Sequence, residues 1–268
     1  MLSLAAIEDS LPTPLWEGFC LALGLIVGSF ANVVIHRLPL GQSVVRPRSR
    51  CPQCGTEIRP LDNVPVLSYL LLLGRCRTCR LPISPRYPAV EAANGLLYLA
   101  IAILLGPTSH ALVVMGFASS LLILSLIDLD HQILPDVITK PGILLGLAAS
   151  FLSGPPTPLE SAASAAAGYF TLMAVAWLAR RYYKEEALGQ GDWKMVAMLG
   201  AFLGWQAMLL AVLLGSLLGS LVGLAMVGFF GGSRRSRVPL GTFLAVGGIA
   251  AVFVGEPLLG WYRGFFHA

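Results

Sequence analysis

Eight apolar stretches limit what this chain can fold into. They lie at about 16–36, 89–106, 110–128, 137–153, 159–180, 192–205, 207–230 and 238–260. A helix needs about 20 apolar residues to cross a bilayer, with a range of about 17–25. All but the stretch 192–205 meet that length. Charged residues make up only 12% of the chain, about half the share of a soluble domain. The expected fold class is therefore an all-α polytopic membrane protein with about eight transmembrane helices. Glu8 and Asp9 stand where a cleavable signal would carry bases, so the first apolar stretch is expected to remain as a helix.

The charges sort by side. Arg37 to Arg86 holds nine of the 18 basic residues and only two acids, Glu57 and Asp62. Arg180, Arg181 and Lys184 follow the fifth stretch, and Arg234, Arg235 and Arg237 precede the eighth. With eight crossings all three clusters fall on one side, which the positive-inside rule places in the cytosol. Glu8, Asp9, Glu17, Glu160 and Glu256 fall on the other side, with Arg263 the only base there. Three parts are expected: 1–36 with the first crossing, 37–88 as a small cytosolic domain, and 89–268 with seven further helices. Gly154 to Pro158 reads as an outside turn, and Gly231-Gly232-Ser233 as an inside one. Gly215, Gly219 and Gly223 share one helix face, as close helix packing requires.

The cytosolic segment carries Cys51-Pro52-Gln53-Cys54 and Cys76-Arg77-Thr78-Cys79. Two such knuckles a short insert apart are the spacing of a four-cysteine structural zinc site. A reducing cytosol argues against disulfides. Four thiolates leave no open coordination position, so the zinc is expected to fold the loop and not to catalyse. Cys20, inside the first apolar stretch, reads as a buried small hydrophobe.

Two aspartates lie at the ends of apolar stretches, on the same cytosolic edge. Asp128 closes one in Ile127-Asp128-Leu129-Asp130-His131-Gln132-Ile133-Leu134-Pro135-Asp136, and Asp192 opens another in Gly189-Gln190-Gly191-Asp192-Trp193-Lys194. A carboxylate at a bilayer edge is costly without a partner or a task. Two brought together can share a proton and activate water, as in aspartic proteases. The plain alternatives are solvated acids and helix caps. Asp130 can extend into water, Asp136 can cap the helix after Pro135, and Lys194 can be a local counter-charge. Glu91 suits the first turn of a helix and can also meet a cationic substrate group.

At these residues the chain resembles the bacterial type IV prepilin peptidases, which also serve type II secretion pseudopilins. The resemblance rests on Gly28-Ser29-Phe30-Ala31-Asn32-Val33-Val34-Ile35-His36-Arg37-Leu38-Pro39 and on the four cysteines. It includes Asp62-Asn63-Val64-Pro65 and Ser68-Tyr69-Leu70, Ile83 to Pro88 with Glu91, and the two aspartate segments. It implies an intramembrane aspartic endopeptidase of the bacterial inner membrane. Such an enzyme removes the basic leader of prepilins after a glycine, at the cytosolic face. It implies as well N-methylation of the new N-terminal residue with S-adenosylmethionine. Asp128 and Asp192, 64 residues apart, take the catalytic places. Gly74 and Arg75 fall where relatives have residues linked to methylation. Glu91, Asp130, Asp136, Gly189, Gly191 and Lys194 are the candidates for substrate contact. The expected partners are prepilin substrates and lipid, with no nucleic acid.

Two other classes fit less well. A transporter favours acids near the midplane and broken helices in paired halves, whereas these acids sit at one edge and no repeat is visible. An assembly scaffold accounts for the cysteines and not for the aspartate segments.

Overall fold

The computed structural model describes residues 13–152, 154–184, 189–229 and 239–266. The expected acids Glu8 and Asp9, the turn 231–233, the bases Arg234, Arg235 and Arg237, and the Arg263 side chain lie outside the described residues. Among the described residues the chain is all-helical. The only β pairings among the described residues are two isolated bridges, Arg50 with Glu57 and Arg75 with Pro82. The helices are α1 (Thr13–Arg37), α2 (Leu67–Leu71), α3 (Arg86–Leu105), α4 (Ser109–His131), α5 (Asp136–Ala149), α6 (Pro158–Tyr183), α7 (Gln190–Phe229) and α8 (Leu240–Phe266), with a 3-10 turn at Pro60–Asn63.

Six of these helices are long and apolar enough to cross a membrane. The stretch expected at 137–153 forms only the 14-residue α5, about 21 Å long at 1.5 Å per residue. The stretches 192–205 and 207–230 run together as the 40-residue α7. That length is about 60 Å, twice the hydrocarbon thickness. Gly204 interrupts it with φ 73° and ψ 176°, a conformation that glycine adopts without a Cβ penalty. A Cβ at that position would also lie 2.8 Å from Glu160 Oε1. The exposed leucines of α7, Leu209, Leu213, Leu217, Leu221 and Leu224, suit a lipid surface.

The chain divides into two compact units, 1–119 and 120–268, with the boundary inside α4. In the first unit α1 packs along α3. Small residues make this possible: a Cβ on Gly28 would lie 2.8 Å from the Glu91 Cα, and one on Gly24 would lie 2.8 Å from Tyr98. Such close approach also favours interhelical hydrogen bonds. The buried Asn94 Nδ2 donates to Gly24 O at 2.7 Å. The Ser119 hydroxyl lies 2.8 Å from Asn94 Oδ1 and 3.1 Å from the Tyr98 hydroxyl. Arg37 ends α1 and ties down the loop after it, donating through Nη1 to the carbonyls of Ser43 and Pro47 at 3.1 and 2.8 Å.

In the second unit α7 lies against α5, α6 and α8. α6 begins where Thr157 caps it, the hydroxyl accepting from Glu160 N at 3.3 Å, with a proline in the first turn. Gly215 and Gly219, expected to face a neighbouring helix, do so: added Cβ atoms would meet Phe243 of α8. Ser161 of α6 donates to Ala201 O of α7 at 2.7 Å.

Packing should therefore outweigh hydrogen bonding between α1 and α3. Asn94→Ala is expected to cost about 1 kcal/mol. Gly28→Val, which drives a side chain into the α3 backbone, is expected to cost about 3 kcal/mol. Thermal unfolding in detergent checks the order, and a larger loss for Asn94→Ala would contradict it.

Candidate active site and metal centre

Asp128 lies in the last turn of α4 and is 5% exposed. The helix stops at Gln132, whose φ is +53° and whose N–H donates to Asp128 O at 2.9 Å. The carboxylate finds its partners 114 residues on, in the first turn of α8. Its Oδ2 accepts from Thr242 N at 2.7 Å. The Thr242 hydroxyl lies 3.3 Å from Oδ2 and 2.9 Å from Ser125 O. Free amides and the positive end of the helix dipole meet at a helix start, so a carboxylate is well placed there. The preceding Gly241 allows the approach, since a Cβ on it would lie 2.9 Å from Asp128 Oδ2.

Asp192 is the third residue of α7. Its Oδ2 accepts from Gly189 N at 3.1 Å, and its own N–H donates to Gly189 O at 3.2 Å. An acid at the third helical position reaching back to the capping residue is half of a capping box. The side chain is half-buried. Asp128 lies close enough to act on it electrostatically. Leu134 joins the two aspartate segments. A Cβ on Gly191 would lie 2.8 Å from Leu134 Cβ, and one on Gly241 would lie 2.9 Å from Leu134 Cδ1. Leu134 thus fits between a glycine of α7 and a glycine of α8, and the loop after α4 closes onto both helix starts.

Asp136, the first residue of α5, pairs with Lys140 at 2.7 Å and with Lys194 at 2.5 Å. The hydrogen bonds from Lys140 and then Lys194 hold its carboxyl below the usual range. The Lys194 pair links the first aspartate segment to the second, 58 residues apart. Asp130 and Gly189 are exposed. Trp193 turns its ring edge-on to Tyr169, with centroids 6.0 Å apart. The second unit thus brings together Asp128, Asp192, Gly189 and Gly191, and beside them Asp136 with Lys194. Gly241 and Thr242 complete the group and were not anticipated from the sequence.

In the first unit the four cysteines converge, with all Sγ atoms within 4.8 Å of one another. The two knuckles have the same turn. Gly55 N donates to Cys51 O at 2.9 Å, and Arg80 N donates to Cys76 O at 3.0 Å. Gly55 and Arg80 hold φ at +70° and +59°. Hydrogen bonds from the Thr56 side chain and then its backbone hold the Cys54 thiol down at about 6. The amides of Cys79 and Thr78 keep Cys76 below the ordinary thiol range. The Leu81 amide lowers Cys79 too, but burial and the three neighbouring thiols together push it up to about 11. Four sulfurs this close cannot all ionise without a cation among them. The amides and the sulfur donor set fit a thiolate-bound metal ion.

Of the remaining expected residues of this unit, Glu91 lines a cavity of about 450 Å³, and Gly74 and Arg75 do not. Glu91 accepts from Val66 N at 2.7 Å through Oε2. Val66 holds φ 59° and ψ −50°, rare for a β-branched residue. Gly74, at φ +66°, and the exposed Arg75 precede the second knuckle and are not part of the cavity wall. Gly74 stands behind the wall: a Cβ on it would lie 2.9 Å from Oη of Tyr69, which does line the cavity.

Known proteins share both segments. Residues 22–105 match the Bacterial Peptidase A24 N-terminal domain, and residues 115–224 match the Type IV leader peptidase family. The chain is 41% identical to a prepilin leader peptidase/N-methyltransferase of Burkholderia pseudomallei (strain 1026b), over 92% of this chain and 88% of that protein. A protein of the same description from Pseudomonas putida is 42% identical, over 88% of this chain and 90% of its own length. A third, from Myxococcus xanthus (strain DK1622), is 47% identical over 73% of this chain and 58% of that protein. No solved structure matches. A polytopic helical membrane protein with two buried-edge aspartates is the class that the fold and site define. Within it, this chain belongs to the type IV leader peptidase family.

If the Asp136–Lys194 pair holds the two aspartate segments in register, breaking it from either side should have one effect. Asp136→Asn and Lys194→Met are each expected to lower peptidase kcat about tenfold, a cost of about 1.4 kcal/mol. The double variant should be no slower than either single one, because a pair breaks only once. Multiplying losses would show that the two act separately.

Proposed function

We propose that this protein is an intramembrane aspartic endopeptidase that cleaves the basic leader of type IV prepilins and pseudopilins, after a glycine, at the cytosolic membrane face. In this reading it also N-methylates the newly exposed residue with S-adenosylmethionine. The observation that carries the peptidase reading is the placing of the Asp128 and Asp192 carboxylates at the starts of α8 and α7, where Leu134 packs against both Gly241 and Gly191. The relatives' description as prepilin leader peptidase/N-methyltransferase supplies the substrate and the second activity.

The chemistry follows from the pair. One carboxylate takes a proton from water as that water attacks the scissile carbonyl. Its protonated partner gives a proton to the leaving amine. The two titrate as a unit, and each turnover exchanges their roles. Thr242 and Gly189 fix the carboxylate oxygens through N–H groups at 2.7 and 3.1 Å, so neither acid has to reorganise. The apolar part of a prepilin would lie in the bilayer, which brings the scissile bond to the membrane edge. The basic clusters at 37–86 and 180–184 support a cytosolic side for that edge. The leader's cations need acids. Asp130, exposed near the end of α4, is proposed to meet them. Gly189 and Gly191 keep the start of α7 low beside an extended substrate.

The metal ion held by Cys51, Cys54, Cys76 and Cys79 is proposed to be zinc in a structural role, since four thiolates leave no position for a reactant. In methylation the lone pair of the new α-amine forms the N–C bond. The C–S bond of the donor breaks toward sulfur, and the amine loses its proton to water.

Mass spectrometry of a co-expressed prepilin tests both activities. The wild type should remove the leader and add about 14 Da, one CH2, to the new N-terminus. Asp128→Asn and Asp192→Asn should each lower cleavage about a thousandfold or more. Retained cleavage in either variant would end the two-aspartate mechanism. For the metal, one zinc per chain by elemental analysis is expected, lost in Cys54→Ser. Full zinc content in that variant would argue against a four-sulfur site.

A further inference from the structure

The cavity of the first unit is lined by neither of the two aspartates, and its walls are chemically specific. The C-terminal part of α1, the two knuckles, α2 and the start of α3 enclose about 450 Å³, within the size range of small-molecule sites. We propose that this cavity is the methyl-donor site, and that Glu91, Tyr69, Tyr87 and Asn32 hold the S-adenosylmethionine. The inference rests on the methyltransferase half of the function proposed above.

The side chains divide into those already spent and those left for a ligand. Asp62 is taken by Arg77, with contacts of 2.6–3.0 Å. This guanidinium holds the Asp62 carboxyl below its usual range. Glu57 is taken by Arg50 at 3.1 Å, and Arg37 by backbone carbonyls. Glu91 is different. One oxygen, Oε2, accepts from Val66 N; Oε1 is not spent on that bond, and Glu91 lines the cavity. Asn32 likewise spends its Nδ2 on Tyr87 O at 3.0 Å and keeps its Oδ1. The Tyr69 and Tyr87 rings complete the wall.

This set matches the donor group by group. A sulfonium carries a positive charge and no N–H or O–H, so it is held by aromatic faces and a nearby carboxylate. A ribose diol presents two donors that one carboxylate can accept. A purine needs a flat ring to stack on and an amide to pair with its edge. The turn at Val66 adds a second sign. Its φ of 59° and ψ of −50° cost about 1–3 kcal/mol, and such strain collects at ligand clamps. Glu91 is the side chain that holds this turn. A basic leader peptide fits the cavity less well, because four arginines line it against three carboxylates.

The test is calorimetric binding of S-adenosylhomocysteine to the full chain in detergent, with metal content measured alongside. Glu91→Gln keeps an acceptor for Val66 N–H and loses only the charge; Tyr87→Leu keeps the backbone carbonyl that Asn32 uses. Each is expected to bind at least about tenfold more weakly than wild type with metal content unchanged. Wild-type affinity in both variants would move the site elsewhere. So would binding of a synthetic leader peptide that these substitutions abolish while nucleoside binding persists. Prepilin methylation by the wild type separates the two failures. If it methylates and both variants bind normally, the cavity assignment falls and the methyltransferase reading stands. If it cleaves without methylating and binds no nucleoside, that reading falls and takes the cavity's ligand with it.

Discussion

A carboxylate next to hydrocarbon must have donors, and the second unit is arranged around that demand. Asp128 is nearly sealed from solvent, and the group that satisfies it is the amide of Thr242 in the first turn of α8. A helix start is one of the few places in a membrane protein with unspent N–H groups. Asp192 solves the same problem at the start of α7, through Gly189. Two helix starts therefore have to come together, and glycine is what lets them. Gly241 and Gly191 both admit Leu134, and neither has room for a Cβ. The geometry of the two aspartates and the packing are thus one arrangement.

Much of this was legible in the sequence, and the limits have physical reasons. The aspartates stood out because acids at apolar boundaries are rare. The cysteines stood out because metal-ligand spacing is local. Thr242 did not stand out. A threonine near a helix start is ordinary, and its partner is 114 residues away. The ion pair of Asp136 with Lys194 spans 58 residues and was hidden in the same way, leaving Asp136 to read as a cap and Lys194 as a local counter-charge. Gly204 was obscured for another reason. Hydropathy alone separated 192–205 from 207–230, while in the structure α7 continues and only one residue leaves the helical conformation. Hydropathy reports which residues face lipid, not where a backbone bends. The stretch at 137–153 shows the converse, since apolar residues beyond Ala149 do not extend α5.

Glu91 shows how the structure adds a contact that the sequence did not suggest. From the sequence it was an acid suited to the dipole of its own helix. In the structure its carboxylate reaches away from α3 to the amide of Val66. It holds a backbone conformation that valine would otherwise avoid. Gly74 is similar. The resemblance placed it among residues linked to methylation, and in the structure it lies behind Tyr69. Its substitution would move the ring that forms the wall.

The cysteine cluster of this first unit is an electrostatic arrangement. Thr56 and the amides of the second knuckle draw Cys54 and Cys76 toward the thiolate, while the crowding of four sulfurs drives Cys79 the other way. A cation among the sulfurs would relieve that crowding, and the folding of the loop would then be linked to metal binding. Cys51 and Cys76 also line the cavity beside Asn32 and Glu91. A metal that orders the knuckles therefore orders that wall as well. The structural centre can then affect a reaction in which it takes no chemical part.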